Sequence, residues 1–454
     1  MTDAITTDPT APTAEPDPVV VVGMAVEAPG GIDTLAGYWE ALADGRDLIS
    51  PFPRDRGWDV EELLSLSNDH GWAPVADAGG FLDGAGAFDP LFFGISPREA
   101  VAMDPQQRVV LRTAWHAVEN AGINPASLSG REVGVYVGGS INEYGPRAAE
   151  VNEYSGYRAS GTALGALAGR ISHCLELTGP SLTVDTACAS SLTALDLAVR
   201  SLRDDESELA LAGGVCVMGS AAAFYEFSKN NALAGGGQCR PYSSFADGTL
   251  WGEGAGVVVL ERRSRALANN RRIYGEIAAT GVNHNGGGVG IALPSATAQQ
   301  RLMARVRDRS GLPGVDLIEG HGTGTAVGDP LELTALSAVY GAGSAGEPTV
   351  IGSVKSNLGH AQAAAGMLGL IKVLLCGLHG QIAPTRHAES PTTEIDWDTS
   401  GLRLAAKLED WPDRDGARHA AVSSFGIAGT NAHAIVTMPA TTPHTADAQS
   451  GGEA

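Results

Sequence analysis

The sequence is poor in basic residues and has no long apolar run. Its 30 lysines and arginines are outnumbered by 52 aspartates and glutamates, which gives a formal net charge of -22 at pH 7. So acidic a chain repels nucleic acid and anionic membrane surfaces, and the sequence predicts neither as a partner. Glycine, aspartate or arginine interrupts each hydrophobic stretch before the roughly 20 apolar residues that are needed to cross a bilayer.

Cysteine is also scarce. The five cysteines are far apart in the sequence, and none belongs to a C-x-x-C pair of the kind that binds zinc or forms a redox dithiol. We therefore expect reduced thiols and no metal site. Residues 1–18 have neither the basic start nor the apolar centre of a secretion signal, so the sequence predicts a cytoplasmic protein.

Glycine, by contrast, is abundant, and much of it lies beside short apolar runs that lack polar alternation. Such runs are typical of strands that are buried on both faces of a sheet. The predicted strands lie at 19–23, 133–138, 209–217, 257–260, 349–352 and 432–436. Apolar residues at helical spacing follow at 192–202 and 367–375. Strands that alternate with helices predict a layered α/β architecture.

One cysteine lies between a short apolar run and a predicted helix. In the segment VDTACASSL (184–192), Cys188 stands just before the helix begins. The unsatisfied N–H groups of a helix N-terminus stabilise a thiolate and can also receive an oxyanion. A small buried hydrophobic residue would suit the same position, and that is the usual role of a free cysteine. The position alone leaves both interpretations open.

Two further segments combine glycine-rich loops with histidine. EGHGTGTAVGDP (319–330) contains His321, and GSVKSNLGHAQAAAG (352–366) contains His360. Glycine at this density lets the backbone bend sharply and approach a ligand closely. An isolated histidine is more typical of a satisfied polar side chain, and this is our interpretation of the other nine histidines.

Together the three segments resemble the cysteine-histidine-histidine signatures of β-ketoacyl synthases, specifically those of modular polyketide synthases. Four more motifs resemble the same family in the same order. They are MDPQQR (103–108), CRPYS (239–243), DGTLWGEG (247–254) and SSFGIAGTNAH (423–433). The resemblance covers residues 18–439, and motifs of this length in this order are far more specific than any one of them alone.

The resemblance implies the thiolase-like fold, in which duplicated α/β halves form a five-layered αβαβα core, and it implies a homodimer. We expect an N-terminal half at 19–270 that contains Cys188 and a C-terminal half at 271–440 that contains both histidines. The ends, 1–18 and 441–454, are small and polar and are predicted to be disordered.

The resemblance also implies a reaction. Cys188 would take an acyl chain from a carrier protein as a thioester, because a thiolate exchanges thioesters readily. His321 and His360 would promote decarboxylation of a malonyl-type extender and stabilise the enolate that follows. No cofactor would be bound permanently, since the substrate arrives on the phosphopantetheine arm of an acyl carrier protein.

Three charged residues would support the site. By the resemblance, Lys355 organises His360, and Asp329 or Glu332 completes that polar network. A structural ion pair is an equally good interpretation of all three residues.

Three more residues would contact the substrate. Thr323 and Thr325 correspond to threonines that hydrogen-bond the phosphopantetheine arm. Phe425 corresponds to a gating residue, and its backbone N–H would form an oxyanion hole together with that of Cys188.

The sequence departs from the usual modular pattern in three places. Gly320 stands where alanine generally precedes the first histidine, and Ala189 replaces a common serine. The segment NHNGGGVGIAL (283–293) has the placement of a loop near the active site but a different composition. Substrate range, or the final reaction itself, is expected to differ there.

No acyltransferase or carrier motif follows the family-like region in this sequence, so we expect a free-standing acyltransferase of class EC 2.3.1 that uses a carrier protein in trans. The leading hypothesis is decarboxylative Claisen condensation. One alternative is a terminal cyclase, which would close a carrier-bound chain by an aldol-type reaction and release it. A non-catalytic partner subunit, like chain-length factors, is disfavoured by the presence of Cys188. Thiolase is disfavoured by the lack of its second cysteine motif, and a decarboxylase of the loading type by the lack of glutamine at 188.

Overall fold

The computed structural model describes residues 17–145, 151–152, 154–287, 290–341 and 347–440. Both predicted tails therefore lie outside the described residues, apart from Asp17 and Pro18. These two residues hydrogen-bond to the backbone at residues 263 and 264. Two residues of the divergent segment 283–293 also lie outside the described residues.

The described residues form strands and helices that alternate through the chain. The strands are β1 (Val19–Glu27), β2 (Val133–Gly138), β3 (Ser181–Val184), β4 (Leu209–Cys216), β5 (Gly254–Arg262), β6 (Gly275–His284), β7 (Leu317–Glu319), β8 (Thr349–Gly352), β9 (Gln381–Ile382), β10 (Leu402–Leu404), β11 (Glu409–Asp410), β12 (Ala417–Phe425) and β13 (Thr430–Pro439). The helices are α1 (Leu35–Ala43), α2 (Val60–His70), α3 (Pro97–Ala102), α4 (Pro105–Asn120), α5 (Arg158–Thr162), α6 (Ala166–Cys174), α7 (Ser190–Arg203), α8 (Ala222–Lys229), α9 (Arg263–Ala268), α10 (Ala296–Ser310), α11 (Gly328–Tyr340), α12 (Lys355–Leu358), α13 (Ala365–His379) and α14 (Trp397–Ser400).

The six predicted strands are confirmed. They correspond to β1, β2, β4, β5, β8 and β13; β2 and β8 have the predicted bounds, β1, β5 and β13 are longer than predicted, and β4 ends one residue earlier. Every residue of β1, β2, β4 and β8 is buried, as runs without polar alternation require. The two predicted helices are α7 and α13.

The main sheet contains the same strand arrangement twice. The first set has the order β3-β2-β4-β5-β1, and the second has the order β8-β7-β12-β13-β6. In both sets the first three strands of this order are parallel, and the last two run antiparallel to their neighbours. Both sets also use their strands in the same sequence order, so the chain repeats one topology. The first set ends at Arg262 and the second begins at Gly275.

The two repeats join along one edge and enclose two helices. β1 and β6 pair over three residue positions, and α7 and α13 pack between the two sets of strands. α4 and α6 cover the outer face of the first set, and α10 and α11 cover that of the second. This confirms the predicted five-layered core of duplicated α/β halves. The helical stretch Gln362–His379 is long and apolar enough to cross a membrane, but 83% of it is buried in the central layer.

Candidate active site

Cys188 lies on the short connection between β3 and α7. The residue before it, Ala187, has a φ of +53°, a left-handed conformation that turns the chain sharply and is strained for alanine. The hydroxyl of Ser424, at the end of β12, donates a hydrogen bond of 2.7 Å to the carbonyl of Cys188. A side chain of the second repeat therefore fixes the cysteine of the first.

The Cys188 thiol is less acidic than the sequence predicts. Burial raises its pKa to about 11, although the charge of Lys355 and the backbone N–H groups of Ile427 and Cys188 act in the opposite direction. The expected net stabilisation of the thiolate is thus wrong, because α7 begins only at Ser190 and desolvation outweighs the nearby donors. The resting thiol is protonated at pH 7.

His321 stands just after β7 and is held as a neutral ring. Its Nδ1 accepts a hydrogen bond of 3.3 Å from the backbone N–H of Phe425. A backbone N–H can only donate, so the hydrogen of the neutral imidazole lies on Nε2. Burial, the charge of Lys355 and the neighbouring His360 hold the pKa of His321 well below its usual value. His321 therefore presents Nε2–H as a donor.

The backbone of His360 hydrogen-bonds to the DGTLWGEG segment (247–254). Its backbone N–H donates to the Leu250 carbonyl at 2.6 Å, and its carbonyl accepts from the N–H of Gly252 at 3.0 Å. Its Nδ1 accepts from the N–H of Gln362 at 3.1 Å, so this ring also carries its hydrogen on Nε2. That Nε2 is buried and has no hydrogen-bond partner among the described residues. Burial and the charge of Lys355 keep the pKa of His360 well below its usual value.

The three predicted residues converge although they come from three connections. The rings of His321 and His360 have centroids 5.4 Å apart and stand nearly perpendicular. Ser424 holds Cys188, and the next residue along β12, Phe425, holds His321. Two neutral N–H donors beside a thiol can stabilise negative charge that develops on a substrate oxygen.

Lys355 supplies a buried positive charge to the whole site. It is the first residue of α12 and is 3% exposed. Burial lowers its pKa, whereas Glu319 and Glu332 act to raise it. Its charge lowers the pKa of both histidines and of Cys188. Lys355 therefore acts on His360 through its charge, and it acts on His321 in the same way.

Asp329 and Glu332 hold the loop of His321 through its backbone. Glu332 accepts hydrogen bonds from the N–H groups of His321, at 2.6 Å, and Gly322, at 2.8 Å. Asp329 accepts hydrogen bonds from the N–H groups of Gly324, Thr325 and Tyr242. Burial raises the pKa of both carboxyl groups, that of Asp329 to about 7. These two residues therefore act on the position of His321 through the peptide backbone.

The two threonines predicted to contact the substrate arm lie on the same loop. The hydroxyl oxygens of Thr323 and Thr325 are 3.3 Å apart, and both residues are partly exposed. Thr325 also accepts a hydrogen bond from the N–H of Gly328. Within the described residues, no group of three or more His, Cys, Asp or Glu side chains is arranged to hold a metal ion.

Phe425 lies beside His321, but its backbone N–H differs from the prediction. The two rings have centroids 5.4 Å apart. The N–H of Phe425 donates to His321, so the predicted oxyanion hole of Phe425 and Cys188 N–H groups is corrected. The backbone N–H groups that act on the Cys188 thiol are those of Ile427 and of Cys188 itself.

Sequence reasoning missed three residues that shape the site. Ser424 and Ile427 lie within SSFGIAGTNAH, where the motif drew attention only to Phe425. Tyr242 lies within CRPYS and donates from its hydroxyl to Glu332 at 3.0 Å. In the sequence, only the resemblance of CRPYS to a β-ketoacyl synthase motif points to Tyr242.

Comparison with known proteins assigns both repeats to one family. Residues 16–266 match the family described as "Beta-ketoacyl synthase, N-terminal domain", and residues 274–389 match "Beta-ketoacyl synthase, C-terminal domain". Polyketide synthase GfsA of Streptomyces halstedii is 46% identical over 439 residues, which are 96% of this chain and 6% of that protein. Erythronolide synthase EryA3 of Saccharopolyspora erythraea is 47% identical over 424 residues, which are 92% of this chain and 13% of that protein. The chain thus spans a small part of the length of these curated relatives.

Solved structures of single domains match most of the chain. The ketosynthase from module 6 of the bacillaene synthase from Bacillus subtilis 168 has a TM-score of 0.84 and 37% identity, over 94% of this chain and 73% of that chain. The oxazolomycin ketosynthase domain OzmH KS7 of Streptomyces albus JA3453 has a TM-score of 0.87 and 38% identity, over 95% of this chain and 76% of that chain. Both similarities extend over the two repeats.

Proposed function

Because the chain belongs to the β-ketoacyl synthase family, as a ketosynthase of the polyketide synthase type, we propose that it forms a carbon-carbon bond by decarboxylative Claisen condensation on Cys188. Ketosynthases of this type are acyltransferases of class EC 2.3.1. The observation that carries the proposal is the pair of neutral imidazoles, His321 and His360, which both present Nε2–H while their Nδ1 atoms accept backbone hydrogen bonds.

The first step is transfer of an acyl chain to Cys188. The sulfur attacks the carbonyl carbon of an acyl thioester on a phosphopantetheine arm, and the bond from that carbon to the pantetheine sulfur breaks. The proton that leaves Cys188 is the one that the departing thiolate gains, so the exchange needs no net acid or base. The donor arm would hydrogen-bond to the hydroxyls of Thr323 and Thr325, which are partly exposed.

The second step is decarboxylation and attack. A malonyl-type thioester loses carbon dioxide, and the electron pair of the broken carbon-carbon bond becomes an enolate whose oxygen accepts hydrogen bonds from His321 and His360. The enolate carbon then attacks the acyl carbonyl on Cys188. The sulfur leaves and takes up one proton, which restores the thiol. Because both rings are already neutral donors, no proton moves to or from them.

The acyl carrier protein in this proposal is a separate polypeptide, and the ketosynthase is free-standing and cytoplasmic. The five cysteines all lie in described residues and are unpaired, which fits a reducing compartment. Mixing the purified chain with a purified, acylated carrier protein tests transfer in trans.

The proposed assembly is a homodimer. β3 pairs with β2, and its other edge has no sheet partner within the described residues. Leu182 on this strand is 48% exposed, and an exposed strand edge with an apolar side chain is suited to pairing with a second copy. Light scattering during size-exclusion chromatography should give twice the 46.5 kDa chain mass. Leu182→Asp should lower the measured mass toward that of one chain.

Intact-mass analysis tests the nucleophile. After incubation with an acyl thioester mimic, the wild-type chain should gain one acyl mass, and Cys188→Ala should gain none. Cys174→Ala is the matched control, since Cys174 is also partly exposed, and it should be acylated like the wild type. Equal acylation of Cys188→Ala would refute the assignment of Cys188 as the nucleophile.

A malonyl-carrier assay tests the reaction that follows. Release of carbon dioxide together with chain extension supports condensation. A ring-closed product formed without consumption of the malonyl group would instead support the terminal cyclase.

A further inference from the structure

The glycine before His321 leaves space that a tyrosine hydroxyl fills. A Cβ atom added at Gly320 would lie 1.9 Å from the Oη atom of Tyr242, which no packed structure tolerates. A Cβ atom added at Gly322 would lie 2.9 Å from the same oxygen. The phenol therefore packs against both glycines that flank His321. Position 320 is glycine because any side chain there would collide with the Tyr242 hydroxyl.

Tyr242 is itself held rigidly in place. Its side chain is fully buried, and its backbone N–H donates to Asp329 at 2.7 Å. Its φ of +59° is a left-handed conformation that is strained for a residue with a side chain. Such strain persists only where the surroundings determine the conformation, and it is common at functional sites.

The hydroxyl connects to the histidine through one carboxylate. It donates to Oε2 of Glu332 at 3.0 Å, and the same carboxylate accepts the N–H groups of His321 and Gly322. Glu332 is 2% exposed, so a hydrogen bond lost there would not be replaced by bulk water.

We propose that Tyr242 is a positioning residue for His321, acting through Glu332, and that Gly320 is the partner that makes room for its hydroxyl. The inference rests on the proposed function, because it concerns the orientation of a histidine that would stabilise the enolate. It predicts that the two positions are coupled. Alanine at 320 is compatible with phenylalanine at 242 and incompatible with tyrosine.

The test uses Tyr242→Phe, Gly320→Ala and the double variant in the full chain. Tyr340→Phe is the matched control, because the Tyr340 hydroxyl also shares a buried hydrogen bond, of 2.7 Å with His433, on the outer side of the second repeat. For each protein, the rate of Cys188 acylation by a thioester mimic and the rate of carbon dioxide release from malonyl-carrier are measured separately.

Tyr242→Phe should slow carbon dioxide release by about ten-fold, since it removes a hydrogen bond to a charged group, and should leave Cys188 acylation near the wild-type rate. Gly320→Ala should slow release by about 100-fold, the scale of a misplacement near 1 Å. The double variant should recover most of the rate that Gly320→Ala loses, because the contacts that remain for the added Cβ are 3.1 Å to Cζ of the ring and 3.2 Å to Oε1 of Glu332. Tyr340→Phe should match the wild type in both rates.

Hydrogen exchange of the peptide that spans 319–325 gives a readout that does not depend on condensation. Tyr242→Phe should speed exchange at the amides of His321 and Gly322, and Tyr340→Phe should not. Unchanged carbon dioxide release and unchanged exchange in Tyr242→Phe would overturn the inference, as would a double variant slower than Gly320→Ala. If the wild type is acylated but consumes no malonyl group, the proposed condensation fails, and the exchange data alone decide the role of Tyr242.

Discussion

The two repeats share one strand order but place different chemistry at equivalent connections. In the first repeat, the connection after β3 contains Cys188. In the second, the connection after β8, the equivalent strand, leads to His360, and the one after β7 contains His321. The carboxyl ends of parallel strands meet at one edge of a sheet, which is why duplicated connections can face each other across the central layer.

The connections that form the site differ in the charges that are buried beside them. The second repeat places Lys355, Asp329 and Glu332 beside its histidines, all of them buried. The connection at Cys188 is held instead by backbone N–H groups and by the hydroxyl of Ser424. One repeat thus supplies the sulfur, and the other sets the electrostatics around it.

The largest expected effect concerns the buried ion pair of the second repeat. Lys372 on α13 and Glu319 on β7 lie 2.7 Å apart, and their side chains are 2% and 3% exposed. Lys372→Met removes the ion-pair partner of a buried carboxylate and should lower the free energy of unfolding by about 3–5 kcal/mol in urea titrations. Arg403→Met, which breaks the more exposed pair with Glu409, should cost about 0.2–1 kcal/mol. Similar losses in the two variants would contradict the difference in burial.

Removal of the two imidazoles should separate the two chemical steps. His321→Ala and His360→Ala should each slow carbon dioxide release from malonyl-carrier by about 10²–10³-fold, the usual loss for one oxyanion donor. Acylation of Cys188, followed by intact mass, should continue. The exposed His116 provides the control, and His116→Ala should leave both rates unchanged. A parallel loss of acylation would show that the repeats do not divide the steps.

The charge of Lys355 acts on groups of both repeats, and its removal should shift the pKa values of Cys188 and the two histidines. With a Cys188 pKa of about 11, labelling by iodoacetamide should rise about ten-fold per pH unit up to that value, because only the thiolate reacts. Lys355→Met removes a charge that lowers this pKa, so labelling at a fixed pH should slow by about ten-fold. The pKa of both histidines should rise. A labelling rate that levels off below pH 9 would show that the thiol is more acidic than the structure implies.

The smallest effect should come from the hydroxyl that joins the repeats. Ser424→Ala loses the hydrogen bond to the Cys188 carbonyl and should slow acylation by about five-fold, the value of one ordinary hydrogen bond. The neighbouring Ser423 bonds to His433 instead, so Ser423→Ala should leave the acylation rate unchanged. Equal effects from the two serines would argue against a specific contact with Cys188.

The sequence predicts the fold well where burial is continuous and poorly where it is not. Unbroken apolar runs predicted six strands because both faces of those strands are covered. β7 has only three residues, and β6 mixes buried with partly exposed positions, so neither gives a clear periodic signal. The repeat itself emerges from strand pairing, which no local pattern contains.

The site shows a similar division. Motif order pointed to Cys188, His321 and His360 as one site, but it could not show which backbone N–H each group receives. The direction of the Phe425 N–H depends on the end of β12 and not on its own side chain. Motif order also could not show whether burial or the nearby N–H donors dominate the pKa of Cys188, since desolvation depends on which groups pack around the thiol.

Consecutive residues of β12 hold site residues from both repeats: Ser424 binds the backbone carbonyl of Cys188, and Phe425 binds the ring of His321. A single peptide unit therefore acts as the spacer between the anchor of the Cys188 backbone and that of the His321 ring. Segments elsewhere, such as the chain between α13 and β12 that forms β9, β10 and β11, can change in length or composition without altering that spacing. The scaffold can thus remodel its surroundings to suit different acyl chains while its reacting groups stay at a constant separation.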